Sequence, residues 1–266
     1  MTVVARIVVL VVVCAASLPL GPAVASAQPV EWQQHWPRYG VPEGVATVTF
    51  GVTALVFGAL LDEAEEARWE REVLLDLPIR RLVGARKSAG ERRAALVSDL
   101  MVTSMMVAPF AVHVAPVALI HENGDVAGQL ALISLQSFAA TFALTNVTKI
   151  LVGRARPRVA ECFAQQLVDP DYECEPRPTV SFFSGHSAAA FTGAGLLCVV
   201  GNNVPVYGDR GGNRVPCIAG LVGATSTAVL RIAANRHHLT DIVVGALMGL
   251  ASGWMVPYLL HFRPEP

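Results

Sequence analysis

Lys149-Ile-Leu-Val-Gly-Arg154-Ala-Arg156-Pro157, then Ser181-Phe-Phe-Ser184-Gly185-His186-Ser187, then Arg231-Ile-Ala-Ala-Asn-Arg236-His237-His238-Leu-Thr-Asp241 are three polar clusters inside an otherwise apolar stretch. Unpaired cations, histidines and carboxylates are costly in apolar surroundings. Three such clusters, each at the edge of an apolar run, therefore point to one shared polar site. Lys149, Arg156 and Arg231 supply fixed positive charge suited to a small multivalent anion, of which phosphate is the commonest. Ser184 and Gly185 precede the apolar run that starts at His186. A helix start there turns backbone N–H groups towards an anion, and Gly185 lets the backbone come close. His237 and Asp241 are four residues apart and share a face if the segment is helical. A carboxylate on one imidazole nitrogen fixes the tautomer and leaves the other nitrogen to attack. His186 supplies a second histidine able to protonate a leaving oxygen.

The order and spacing Lys-x6-Arg-Pro, Ser-Gly-His and Arg-x5-His-x3-Asp resembles the three-part pattern of the type 2 phosphatidic acid phosphatases. Vanadium haloperoxidases and bacterial non-specific acid phosphatases share that pattern. The matching positions are Lys149, Arg156 and Pro157; Ser184, Gly185 and His186; and Arg231, His237 and Asp241. The resemblance covers about the C-terminal half of the chain. Two positions depart from it: Phe183 stands where the family usually has Pro, and Leu230 where it usually has Ser. Neither is a proposed chemical group. The resemblance implies an all-α helical bundle, embedded in a membrane, with about five or six apolar helices. It implies a metal-independent phosphatase acting on phosphomonoesters or diphosphates, with lipid phosphates such as phosphatidate or polyprenyl diphosphate as substrates. His237 is the expected nucleophile, His186 the acid and Asp241 the orienter. Lys149, Arg156, Ser184, Gly185 and Arg231 are the expected phosphate binders. No cofactor and no metal are expected, because the clamp is cationic. The alternatives are a soluble exported acid phosphatase, a vanadate-dependent haloperoxidase, and an inactive lipid-binding membrane protein.

Composition agrees with a membrane setting. The 266 residues are 53% apolar and only 15% charged, with a mean hydropathy of +0.48. Soluble domains carry about a quarter charged residues. The net charge of −1 argues against a nucleic-acid partner. Residues 1–27 read as a secretory signal or N-terminal anchor, with Arg6, an apolar core and Ala25-Ser26-Ala27; residues 28–266 read as one domain. Apolar segments follow at about Val45–Leu61, Leu100–Ile120, Val126–Val147, His186–Val204, Val215–Ile232 and Ile242–Leu260, most approaching the ~20 residues that span a bilayer. Gly245 and Gly249 are small residues of the kind that let membrane helices pack closely. The polar insertion at 62–98 mixes both charge signs, as a solvated helical face does.

Four cysteines remain beyond residue 27. Cys162 and Cys174 are expected to form a disulfide in the loop after the first cluster. Cys198 and Cys217 are read equally as a pair or as buried thiols. The site is expected on the exported side. That conflicts with a cleaved signal followed by three spans before Lys149, so one of these elements must behave otherwise. His238 is the alternative partner for Asp241. His113 reads as a bonded core or interface histidine, and His35, His121 and His261 as surface residues. Arg154, Arg158 and Arg236 read as exposed loop arginines flanking the site. Asp99 and Asn146 are expected to bond neighbouring helices. Oligomeric state is not legible.

Overall fold

A computed structural model describes residues 29–62, 66–85, 88–159, 167, 179–208 and 210–263. Helix α1 runs over Val41–Leu55 and ends in a π turn, Val56–Leu60. Helix α2 is the short Asp76–Val83. Helix α3 is continuous through Ser88–Pro109, the π turn Phe110–Val114 and Ala115–Leu119. Helices α4, Gly124–Val152, α5, Gly185–Asn203, and α6, Arg210–Ala233, follow. Helix α7 combines Leu239–Leu250, the π turn Ala251–Met255 and Val256–His261. The described residues contain no strand beyond one isolated bridge between Trp69 and Arg154. The all-α bundle read from the sequence is the fold.

Among the described residues five helices are long and apolar enough to cross a membrane: Val41–Leu60, Ala89–Leu119, Gly124–Val152, Gly211–Ala233 and Leu239–His261. The last four of these surround α5, most of whose residues are buried, and α1 packs on α4. Helix α1 buries none of its residues. Val41, Val48, Leu55 and Leu60 stand exposed on it, as Leu100, Leu119 and Leu247 do on α3 and α7. In water such a surface would be a liability; against lipid it costs nothing.

Glycine brings α7 onto α5. A Cβ added at Gly245, Gly249 or Gly253 would lie 2.6, 2.3 or 2.2 Å from the carbonyl oxygens of Ser184, Ala188 and Thr192. These glycines recur every fourth residue, so they form one stripe along α7. Without side chains there, the two backbones touch, and the first turn of α5 is held against the first turns of α7. The π turn in α3 also has a chemical cause. Pro116 has no N–H for the carbonyl of Val112, and Tyr207 Oη donates to that carbonyl instead.

At the bundle end remote from the site, Trp32, Trp36 and Phe262 pack ring against ring. Asn123 Nδ2 donates to the Val30 carbonyl at 2.8 Å. The segment before α1 thus packs on the ends of α4 and α7. His261 is buried there, with Nδ1 3.0 Å from the Pro37 carbonyl oxygen, which corrects its reading as a surface residue. His121 Nε2 lies 2.9 Å from the Val206 carbonyl oxygen. His113 is buried as expected, but neither ring nitrogen has a hydrogen-bond partner among the described residues. Cys198 and Cys217 form a disulfide between α5 and α6. The sequence reading of 1–27 and the Cys162–Cys174 pairing lie outside the described residues.

Candidate active site

The site gathers where α4 and α6 end and where α5 and α7 begin. Helix α4 stops because Gly153 adopts a left-handed conformation, φ 58°, while its N–H still bonds the Lys149 carbonyl at 3.1 Å. The chain then extends. Arg68 N–H donates to the Gly153 carbonyl at 2.9 Å, and Ala155 N–H to that of Trp69 at 2.9 Å. Ser181 N–H donates to the Arg154 carbonyl at 3.0 Å, and Ser184 N–H to that of Asp241 at 3.0 Å. These four bonds lace the first, second and third clusters, with the connector after α1, into one floor.

Ser184 caps α5, its Oγ accepting from Ser187 N–H at 3.3 Å. A Cβ at Gly185 would lie 3.5 Å from Lys149 Nζ and 3.1 Å from Thr145 Cγ2. Lys149 therefore holds its ammonium directly beside the positive end of α5, where an anion would gain from both. His186 Nε2 is 2.7 Å from Asp99 Oδ1. Arg231 Nη1 donates to that same oxygen at 3.1 Å and to Ser98 Oγ at 3.2 Å. Asp99 thus ties the acid candidate to Arg231, a candidate phosphate binder. Arg156 lies two residues beyond Arg154 and is half-buried.

His237 sits just outside α7 rather than on it; His238 is the N-cap and Asp241 the third helical residue. The shared helix face expected for His237 and Asp241 therefore does not apply. The His237 Nδ1–H donates to the Ser181 carbonyl at 2.8 Å, with the proton assigned from that acceptor. Asp241 Oδ2 lies 3.6 Å from Nδ1. The backbone sets the tautomer, Asp241 adds negative charge beside the ring, and the Nε2 lone pair is left available. Burial lowers the His237 pKa to about 4, with Arg231 and Lys149 acting the same way and the Asp241 carboxylate opposing them. The ring is neutral at neutral pH.

Asp241 is fully buried and accepts three bonds. They come from Arg154 Nη1 at 2.5 Å, Ser181 Oγ at 2.6 Å and His238 N–H at 2.9 Å. His238 is also buried, with Nε2 3.2 Å from the Ala155 carbonyl oxygen. Arg154 was read as an exposed arginine and is among the largest fully buried side chains. Its guanidinium lies 3.9 Å from the Trp69 ring centroid and pairs with both Asp241 and Asp76. Arg158 pairs with Glu91, whose other oxygen accepts from Asn235 Nδ2 at 2.7 Å. Asn146 Nδ2 donates to the Ala54 carbonyl at 2.9 Å, joining α4 to α1 as expected. Among the described residues no group of three or more His, Cys, Asp or Glu could hold a metal ion.

The bundle of apolar helices thus brings Lys149, Gly185, His186, Arg231, His237 and Asp241 together at one end. The model of the PAP2 superfamily matches residues 130–265, and the chain belongs to that family. A PA-phosphatase related-family protein of Dictyostelium discoideum is 30% identical over 132 residues, which are 48% of this chain and 47% of that one. The match thus spans about half of that relative. No solved structure matches the chain. Membership supports phosphatase-type activity, and the five long apolar helices support association with a membrane.

Proposed function

We propose that the protein is a metal-independent phosphatase that works through a phosphohistidine. The observation that carries this reading is His237: a neutral imidazole with Nδ1 bonded to the Ser181 carbonyl and Nε2 without a partner among the described residues, among the charges of Lys149 and Arg231. His237 Nε2 attacks phosphorus while the bond to the leaving oxygen breaks. His186 gives that oxygen a proton. Water then attacks the phosphohistidine, passes its proton to His186 and releases phosphate with His237 restored. Lys149, Arg156, Arg231 and the Ser184–Gly185 N–H groups hold the phosphoryl oxygens as charge develops. Substrates are lipid phosphates or diphosphates, because the site lies at the mouth of helices whose outer faces are apolar. We further propose one catalytic domain from residue 28 onward, behind a leader.

The test is phosphate release from a panel of lipid phosphates, diphosphates and small esters by purified protein. Activity should survive a chelator and be blocked by vanadate, whose trigonal-bipyramidal form resembles the transferring phosphoryl group. Loss in chelator with recovery on adding a divalent metal would contradict the mechanism.

Orientation admits a second reading. The sequence expectation sets the site on the exported side. In the bundle, however, the site and the start of α1 lie at opposite ends. Cys198 and Cys217 lie in the halves of α5 and α6 remote from the site, and disulfides persist in oxidising compartments. Arg68, Arg71, Arg80, Arg81, Arg92 and Arg93 crowd the site end, against Arg38, Arg214 and Arg263 at the other. Arginine gathers on the cytoplasmic side. Both observations favour a site that faces the cytoplasm. Cysteine introduced at Gly124, which is exposed with open space around it, and at Glu70, exposed at the site end, distinguishes the two. With an impermeant maleimide on intact cells, the inward reading expects label at G124C above the unsubstituted background and none at E70C. The converse supports the exported site.

A further inference from the structure

Asp76 lies in the connector between α1 and α3, outside residues 130–265 that match the family. Its side chain is 0% exposed, and so is that of Arg154. Arg154 Nη2 donates to Asp76 Oδ2 at 2.7 Å, while Nη1 donates to Asp241 Oδ1 at 2.5 Å. Thr240 closes the set: its N–H bonds Asp76 Oδ1 at 2.9 Å, its hydroxyl donates to Asp76 Oδ2 at 3.1 Å, and Arg154 Nη1 reaches that hydroxyl at 2.7 Å. Val73 N–H adds a further bond to Asp76 at 3.0 Å. Burial raises the pKa of the Asp76 carboxyl, but the bonds from Val73, Thr240 and Arg154 outweigh it and hold the group below the ordinary range. Asp76 is therefore a carboxylate.

One guanidinium shared by two carboxylates carries one net negative charge, shielded from water by Trp69. A lone Arg154–Asp241 pair would be neutral. The difference matters at His237, because attack on phosphorus turns its ring into a cation. Among the described residues Asp241 is the carboxylate nearest that ring, at 3.6 Å, and the cations Arg231 and Lys149 also act on it. Buried charge in a low-dielectric setting acts strongly over such distances.

We propose that Asp76 is a positioning residue of the active site, which through Arg154 keeps a net negative charge on the Asp76–Arg154–Asp241 unit and so stabilises the cationic form of His237. It acts without touching substrate, and it links the N-terminal connector to the chemistry. This rests on the phosphohistidine reading above.

The experiment measures kcat, KM and the pH profile of the full-length protein, with trapped phosphoenzyme as a second readout. Asp76→Asn makes the unit neutral, Arg154→Met makes it doubly negative, and the double variant returns it to one negative charge. Asp76→Asn should lower kcat about tenfold or more with KM within about threefold, the split expected of lost transition-state stabilisation. The acid limb of its kcat profile should move to lower pH. Arg154→Met should move that limb the other way, and the double variant should fall between them. A merely structural role would not give opposite shifts. If Arg154→Met does not fold, Asp76→Asn alone decides by its pH limb. Wild-type turnover and phosphoenzyme with an Asp76→Asn profile that superimposes on wild type would overturn this inference and leave the phosphatase reading intact. No phosphate release by wild type from any substrate of the panel would overturn both.

Discussion

His237→Ala should abolish phosphate release and leave no acid-labile phosphoenzyme. The nucleophile is needed for every substrate, so the loss should not depend on the leaving group. Removing a covalent nucleophile costs roughly four to six orders of magnitude in kcat where it has been isolated. His238→Ala is the control. Its backbone N–H, which is the group that bonds Asp241, survives the substitution. Only the ring's bond to the Ala155 carbonyl is lost, at a cost of roughly 1–3 kcal/mol for a buried acceptor left unpaired. That is a stability effect, read as a lower Tm, with substantial turnover retained. Peptide mapping of the phosphoenzyme settles the pair: label on His238 and not on His237 would sink the assignment. The pH profile offers a separate check. The reactive form of His237 is neutral, and burial has lowered its pKa to about 4. The fraction able to attack therefore rises as pH increases through about 4 and is complete well below neutrality. An acid limb near pH 6.5, the ordinary histidine range, would mean that the ring is not buried as described.

The charged and imidazole members of this site were more legible than the residues that support them. Lys149, His186, Arg231, His237 and Asp241 announced themselves because charged and imidazole side chains are rare in apolar runs, and their spacing carried the resemblance. The helices were equally visible, since each of the six long ones holds an apolar run. Their ends were read less well: α3 starts at Ser88 inside the charged insertion, because nothing in Arg92 or Arg93 forbids a helix that emerges into water. The supporting residues had no local signal. Asp76 and Thr240 are 164 positions apart, Arg154 and Asp241 87, and His186 and Asp99 also 87. Periodicity reports which face of a helix is apolar, not which distant carboxylate will meet an arginine. Arg154 was misread for this reason. In isolation it is one more arginine in a turn; in the fold it is the pivot of two buried ion pairs. The Ser181 carbonyl that bonds His237 Nδ1 was invisible as well, since a backbone carbonyl leaves no mark in a sequence.

His186→Ala should be selective where His237→Ala is not. A general acid supplies roughly 10²–10⁴-fold when the departing oxygen needs a proton, and little when it does not. An alkyl or lipid phosphate expels an alkoxide and should lose most of that factor. An activated aryl phosphate expels a stable phenolate, so much of the rate of its first half-reaction, read as a burst of phenolate, should remain. Phosphoenzyme should still form from the aryl substrate and accumulate, because in the proposed mechanism His186 is also the base that activates water in the second half-reaction. Geometry supports a single ring in both roles. His186 opens α5 beside Gly185, where the phosphoryl oxygens would sit, and Asp99 holds its Nε2 at 2.7 Å. Asp99 also receives Arg231, so Asp99→Asn should weaken both the acid and the clamp. Unlike His186→Ala, it should raise KM for aryl and alkyl substrates alike. Equal losses for both substrate types in His186→Ala, with no build-up of phosphoenzyme, would show that His186 binds the phosphoryl group and moves no proton.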